Sequence, residues 1–323
     1  MEIVLDILQN LIYVLVFPGL LFCSAAGLLL AGIDRKVVAR MQKRIGPPIL
    51  QPLYDFFKLL GKETIVPRAA ARRTFLAAPF VGFISLLVTA LFIPIFDFSA
   101  FGGVADLIVI IYLLTIPAAA IIIGGAASGS PYAGVGISRE MVAILSYELP
   151  LVIVLLAVGI KAGTAMDVGV TFSLATIGSY QETFGMMILQ PAMIPAALAL
   201  LMVIPCEVGS HPFDVAEAET EICEGPLVEY SGVPLAIYKL NHAIKMFIMT
   251  ALFCALFLGG NGTDMLWLDV LLLLVMCVVI TIICMTLIRA ITARLKVEKV
   301  FKFYWTVVSG LALLSLIMVW FGL

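Results

Sequence analysis

Charge is scarce in this chain: 12% of its 323 residues are charged and 63% are hydrophobic. A soluble domain carries about twice that share of charge, so a water-facing fold is excluded. Histidine is nearly absent, with only His211 and His242. The six cysteines, at 23, 206, 223, 254, 277 and 284, form no CxxC pair. Metal and iron–sulfur ligation need clustered thiolates or imidazoles, so no metal or cofactor is expected on this chain, and the cysteines read as small, mostly buried apolar residues. No Lys or Arg precedes the first apolar run, and the start of the chain carries Glu2 and Asp6 instead. A secretory leader wants a basic start, so this run is expected to persist as a helix. No internal repeat stands out, and with it goes the inverted-repeat signature of many secondary transporters.

What the chain does have is long uncharged apolar runs, with a mean hydropathy of +1.17. A bilayer span needs roughly 20 such residues. Eight stretches qualify, near 3–31, 75–96, 105–126, 138–160, 187–206, 237–259, 266–289 and 303–322, the fifth interrupted by Pro191, Pro195 and Pro205. Inside lipid every backbone polar group must be satisfied within the segment, so these runs read as helices. The expected fold is an all-α polytopic membrane protein, with 1–323 forming one membrane domain of about eight transmembrane helices.

Basic residues are uneven. The connection 34–73 holds Arg35, Lys36, Arg40, Lys43, Arg44, Lys58, Lys62, Arg68, Arg72 and Arg73, and 289–302 holds Arg289, Arg294, Lys296, Lys299 and Lys302. The connections near 97–104 and 260–265 hold none. The positive-inside rule then puts the odd connections in the cytoplasm and both termini outside. Within the first connection, Ile49, Leu53, Phe56, Phe57 and Leu60 recur at helical spacing opposite Gln51, Asp55, Lys58 and Lys62, with Gly61 near the end. This predicts an amphipathic helix over 49–62, which either lies on the membrane surface or forms a docking platform for a soluble subunit.

Two acidic features stand out against this background. The fourth span carries ISREMVAILSYELP, with Glu140 just after Ser138 and Glu148 about two turns deeper, before Pro150. Glu140 fits a helix N-terminus, where the dipole favours an anion. A carboxylate as deep as Glu148 is costly and marks a cavity, a partner or a proton path. Lys239, His242 and Lys245 supply basic groups on the sixth span, and His242 and Lys245 can share a face. The connection 207–236 contains HPFDVAEAETEICEGPLVEYSG, which concentrates Asp214, Glu217, Glu219, Glu221, Glu224 and Glu229. Glu217, Glu221 and Glu224 would fall on one helical stripe. Apolar Val215, Ile222, Leu227, Val228 and Tyr230 between them predict an ordered segment folded back on the membrane domain rather than a solvated loop, with the carboxylates titrating as a group.

Three strings carry a resemblance: ARMQKRIGPPILQPLYDFFKLLGKE at 39–63, SREMVAILSYELPL at 138–151 and PFDVAEAETEICEGPLVEYSG at 212–232. In this order they resemble the membrane subunit beneath the peripheral arm of respiratory complex I, a family shared with energy-converting, membrane-bound nickel–iron hydrogenases. The direct run of Gly46-Pro47-Pro48 into Ile49-Leu50-Gln51-Pro52, and His242 where complex I relatives tend to carry a Glu, point to the hydrogenase-type branch.

The resemblance implies an anchor subunit that links redox chemistry in a soluble module to H⁺ or Na⁺ translocation and has no catalytic residue of its own. It implies that Asp214, Glu217, Glu219, Glu221 and Glu229 line the junction between redox site and membrane, and that Glu140 and Glu148 begin the coupling path. Glu224, His242 and Lys245 join them as coupling candidates. Arg40, Arg44, Lys58, Lys62, Arg289 and Arg294 become charge partners and docking contacts. A nickel–iron centre and iron–sulfur clusters are expected on partner chains. Those partners are hydrogenase-like large and small subunits, antiporter-like membrane subunits and the lipid bilayer of the cell membrane, with no nucleic acid. A quinone-reducing dehydrogenase and a membrane-bound sulfur reductase remain alternatives within the family. A stand-alone secondary transporter is the alternative outside it.

Overall fold

The computed structural model describes residues 2–96, 98, 100, 105–260, 262, 263 and 265–322, and the side chains of all of these except 2–8, 219 and 220. Among the described residues the regular structure is helical, joined by turns and two isolated bridges.

Glu2–Leu15 (α1) and Leu20–Met41 (α2) are separated by a short break containing Pro18 and Gly19. Gln51–Leu60 (α3) is the amphipathic helix, and it ends at Gly61. Arg72–Phe92 (α4), Leu107–Ser128 (α5) and Pro131–Ala165 (α6) follow. Next come Leu174–Phe184 (α7), Ile194–Val208 (α8) and a single turn at Glu219–Ile222 (α9). Gly232–Leu258 (α10), Leu266–Ile291 (α11) and Val297–Trp320 (α12) complete the bundle. Each of the last three contains a π-helical turn, at Cys254–Leu258, Ile282–Thr286 and Tyr304–Val308.

Among the described residues seven segments are long and apolar enough to cross a membrane, and the fifth expected span is the shorter α8. In α10 89% of the most apolar window is buried, against 33–50% in the other long helices. α10 is therefore the centre of the bundle, and α2, α3, α4, α8 and α11 pack on it. The outer helices turn exposed Leu, Ile and Val side chains outward, as a lipid-facing surface requires.

Prolines inside the helices are compensated from neighbouring segments. Pro79 in α4 leaves the carbonyl of Phe75 without its helical donor, and the Tyr230 hydroxyl donates to it at 3.0 Å while its ring stacks on Phe75 at 4.0 Å. Pro117 in α5 likewise frees the Leu113 carbonyl, which accepts from Ser85 Oγ at 2.5 Å. Asn241 Nδ2 on α10 donates to the Pro79 carbonyl at 3.0 Å.

Several boundaries differ from expectation. α2 runs ten residues past the expected end of the first span, so Asp34, Arg35, Lys36 and Arg40 are helical. The helix can continue because Asp34 is neutralised there: Arg289 Nη1 lies 2.8 Å from Asp34 Oδ2 and Thr286 Oγ1 donates to Oδ1 at 2.8 Å. α6 starts at Pro131 after Ser130, and proline fits a first helical position. Glu140 is thus in the third turn, and the N-terminal dipole does not explain it. α7 was not expected. Its Gln181 is buried and its Nε2 donates to the carbonyls of Ala255 and Leu256.

A cavity of ionisable groups between the central helix and the acidic connection

The segment 209–231 folds back on the bundle. Val215, Ala216, Ala218, Ile222, Leu227 and Tyr230 are all buried. Its seat is a surface of small residues on α5 and α6. A Cβ at Gly136 would run into Pro226 and stand 2.9 Å from the Gly225 backbone, and one at Gly125 would stand 3.1 Å from Pro226. The expected helical stripe of Glu217, Glu221 and Glu224 does not form. Cys223, Glu224 and Gly225 take positive φ of 51°, 65° and 50°, which stops α9 after one turn and sends each carboxylate in a different direction. Glu221 reaches Arg139 Nη1 at 2.5 Å near the surface. Glu217 turns inward, Glu224 faces an outer cavity and half-buried Glu229 lines neither cavity. The Glu219 side chain lies outside the described residues.

Under this connection is an inner cavity of about 60 Å³, lined by Glu140, Glu207, Asp214, Glu217, Asn241, His242 and Lys245 among others. It has room for a few water molecules. Glu207, in the last turn of α8 before the left-handed Gly209, meets Lys245 of α10: Oε1 and Nζ are 2.7 Å apart, with side-chain exposures of 2% and 9%. The Lys245 ammonium also stands 5.9 Å from the centre of the Tyr147 ring on α6. A pair this dry holds its charges only because each has the other. Asp214, at the rim, takes Arg294 through Nη2 at 2.9 Å and Nε at 3.1 Å, and His211 Nδ1 at 3.5 Å.

Burial raises the carboxyl of Glu217 to about 8, and the neighbouring carboxylates Glu140, Glu224 and Asp214 push it further in the same direction, against Lys239. Glu217 is therefore a protonated acid near neutral pH that releases its proton just above it.

An outer cavity of about 480 Å³ opens between α2, α3 and α10 and shares Glu217, Leu227, Tyr238 and His242 with the inner one. Lys58 and Lys62 of α3 stand on its rim.

Five sequence-predicted coupling residues thus line one cavity: Glu140, Asp214, Glu217, His242 and Lys245. Glu148 does not join them. Eight helical residues rotate it about 80° from Glu140, so it sits half-buried on the outward face of α6 among exposed Met141, Leu145, Leu149 and Val152. Of the docking candidates, Arg40 and Arg44 are exposed. Arg289 and Arg294 form ion pairs with Asp34 and Asp214 within the chain. Glu207 and Asp34 were missed. Glu207 was legible as a carboxylate at the end of an apolar run, between Pro205 and Gly209.

The class is therefore a polytopic, all-helical membrane subunit in which a buried Glu207–Lys245 pair shares one cavity with partly buried acids from α6 and the acidic connection. Residues 12–320 match the family model described as NADH dehydrogenase, and the chain belongs to that family. It is 38% identical over 231 residues to hydrogenase-4 component C of Escherichia coli K12, covering 71% of this chain and 70% of that protein. It is 30% identical over 334 residues to an NADH-quinone oxidoreductase subunit of Neorickettsia sennetsu, covering 97% of this chain and 96% of that protein. A chain in the structure of the membrane-bound sulfane sulfur reductase, an archaeal respiratory membrane complex, superimposes with a TM-score of 0.86 at 30% identity, covering 97% of this chain and 98% of that one. The protein is a complex I-like, hydrogenase-type membrane subunit of a multi-subunit oxidoreductase complex.

Proposed function

We propose that this chain anchors a soluble redox module on the cell membrane and carries the first charges of the path that couples electron transfer to H⁺ or Na⁺ movement. The observation that carries the reading is the buried Glu207–Lys245 pair, which shares one small cavity with Glu140 and with Glu217 from the connection above. Isolated charges at membrane depth are costly and persist where they serve a path. A paired acid and base in a cavity wide enough for water can exchange partners when a neighbouring proton arrives.

In this reading the acidic connection faces the cytoplasm, under a module of hydrogenase-like large and small subunits that hold a nickel–iron centre and iron–sulfur clusters. Reduction there changes the charge above Asp214 and Glu217. Glu217 takes up or releases a proton, and the pull on Lys245 shifts between Glu207 and Glu140. Glu148, on the outward face of α6, passes the change to an adjacent antiporter-like membrane subunit. Arg40 and Arg44, both exposed, receive the soluble module.

The test is to purify the tagged chain in mild detergent, identify what co-elutes, and assay redox activity with and without those partners. Co-elution of a hydrogenase-like pair with four metal-binding cysteines in its large subunit supports the reading. Transport activity by the chain alone refutes it.

A further inference from the structure

The outer cavity is not explained by the coupling path. Part of its lining is apolar, formed by Leu28 and Ala31 of α2, Pro52, Phe56 and Leu59 of α3, and Leu240 and Ala243 of α10. Four cations surround it, Arg35, Lys58, Lys62 and Lys239, all exposed. Three acids also line it: Asp55, which pairs with Arg35 at 3.6 Å, Glu224 and Glu217. Four basic side chains thus face three acidic ones, and burial raises the carboxyl of Glu217 to about 8, so the lining carries an excess of positive charge near neutrality. Beside the opening, α3 presents Tyr54, Phe57 and Leu60 outward at 56%, 61% and 38% exposure. These apolar side chains, on an amphipathic helix too short to span, suit contact with acyl chains at the membrane surface.

We propose that the cavity between α2, α3 and α10 is a binding site for one anionic phospholipid, its phosphate held by Lys58, Lys62 and Lys239 and an acyl chain lying along Leu28, Ala31 and Phe56. Charge complementarity selects the ligand class. A neutral ring or a zwitterionic headgroup leaves a net positive rim without a counter-charge, and a fully polar anion leaves the apolar wall wet. The volume of about 480 Å³ is in the range of built ligand sites and matches a headgroup with part of one chain. Lys58 and Lys62 then serve the headgroup before any protein partner.

The assembled complex is reconstituted in nanodiscs of phosphatidylglycerol mixed with phosphatidylcholine, and the lipid retained after delipidation is measured by native mass spectrometry. The wild type is expected to retain one phosphatidylglycerol. Lys58→Gln and Lys239→Gln each weaken retention about fivefold, the effect of one lysine at an anionic surface, and the double variant weakens it about 25-fold. These exposed substitutions cost little folding stability. A second variant, Ala31→Trp, fills the apolar wall without touching charge and is expected to displace the lipid as well.

Equal retention of phosphatidylcholine, or retention unchanged in the lysine double variant, overturns the site. Loss of the soluble module from the lysine variants with phosphatidylglycerol still bound also overturns it and assigns the rim to an acidic protein partner.

Discussion

Glu207 and Lys245 meet at 2.7 Å with both side chains almost out of water, one from the end of α8 and one from the middle of α10. Removing one partner strands the other charge in a dry site, which costs about 3–5 kcal/mol. Lys245→Met and Glu207→Leu should each lower the thermal unfolding temperature of the complex clearly. The double variant should recover most of the loss, and a melting series over the three variants checks this.

Glu217 should titrate in the working range. Its folded value near 8 lies above the ordinary 4.5, so the native state binds a proton that the unfolded chain has lost. This contribution to stability is complete below about pH 4.5 and declines as pH rises towards 8. Infrared difference spectra should show a protonated carboxyl band that disappears with a midpoint near pH 8 and is missing in Glu217→Gln.

Gly136 seats the acidic connection, because a Cβ there collides with Pro226. Gly136→Ala should overpack the contact, costing about 1–3 kcal/mol, and loosen residues 212–232. Limited proteolysis should then cut within that segment and leave it intact in the wild type.

Glu148 sits among exposed apolar residues of α6. In the complete complex a neighbouring membrane subunit should cover it. Glu148→Cys is expected to resist maleimide there and to cross-link to that subunit; labelling at the rate of a lipid-facing cysteine would argue against a handover at this point.

The sequence made the long helices legible because each must supply its own apolar length. It did not make their ends legible where a charge is neutralised from afar. α2 continues through Asp34 because Arg289 is there to meet it, and α6 begins before Glu140 because nothing between Pro131 and Ser138 stops it. α7 was hidden for a similar reason: Gln181 finds its acceptors at the end of α10, which no local pattern reveals. The acidic connection was recognisable as ordered, but its left-handed turn at Cys223 and Glu224 scattered carboxylates that a regular helix would have aligned. Glu207 was passed over because its meaning comes from Lys245, on another helix.

The most direct test is the number of ions moved per electron in vesicles containing the whole complex with Glu207→Gln and Lys245→Gln together, which removes both charges and nearly keeps the packing. Redox turnover should persist while ion movement falls to the leak level. A wild-type ratio of ions to electrons in this double variant would contradict a coupling role for the buried charges.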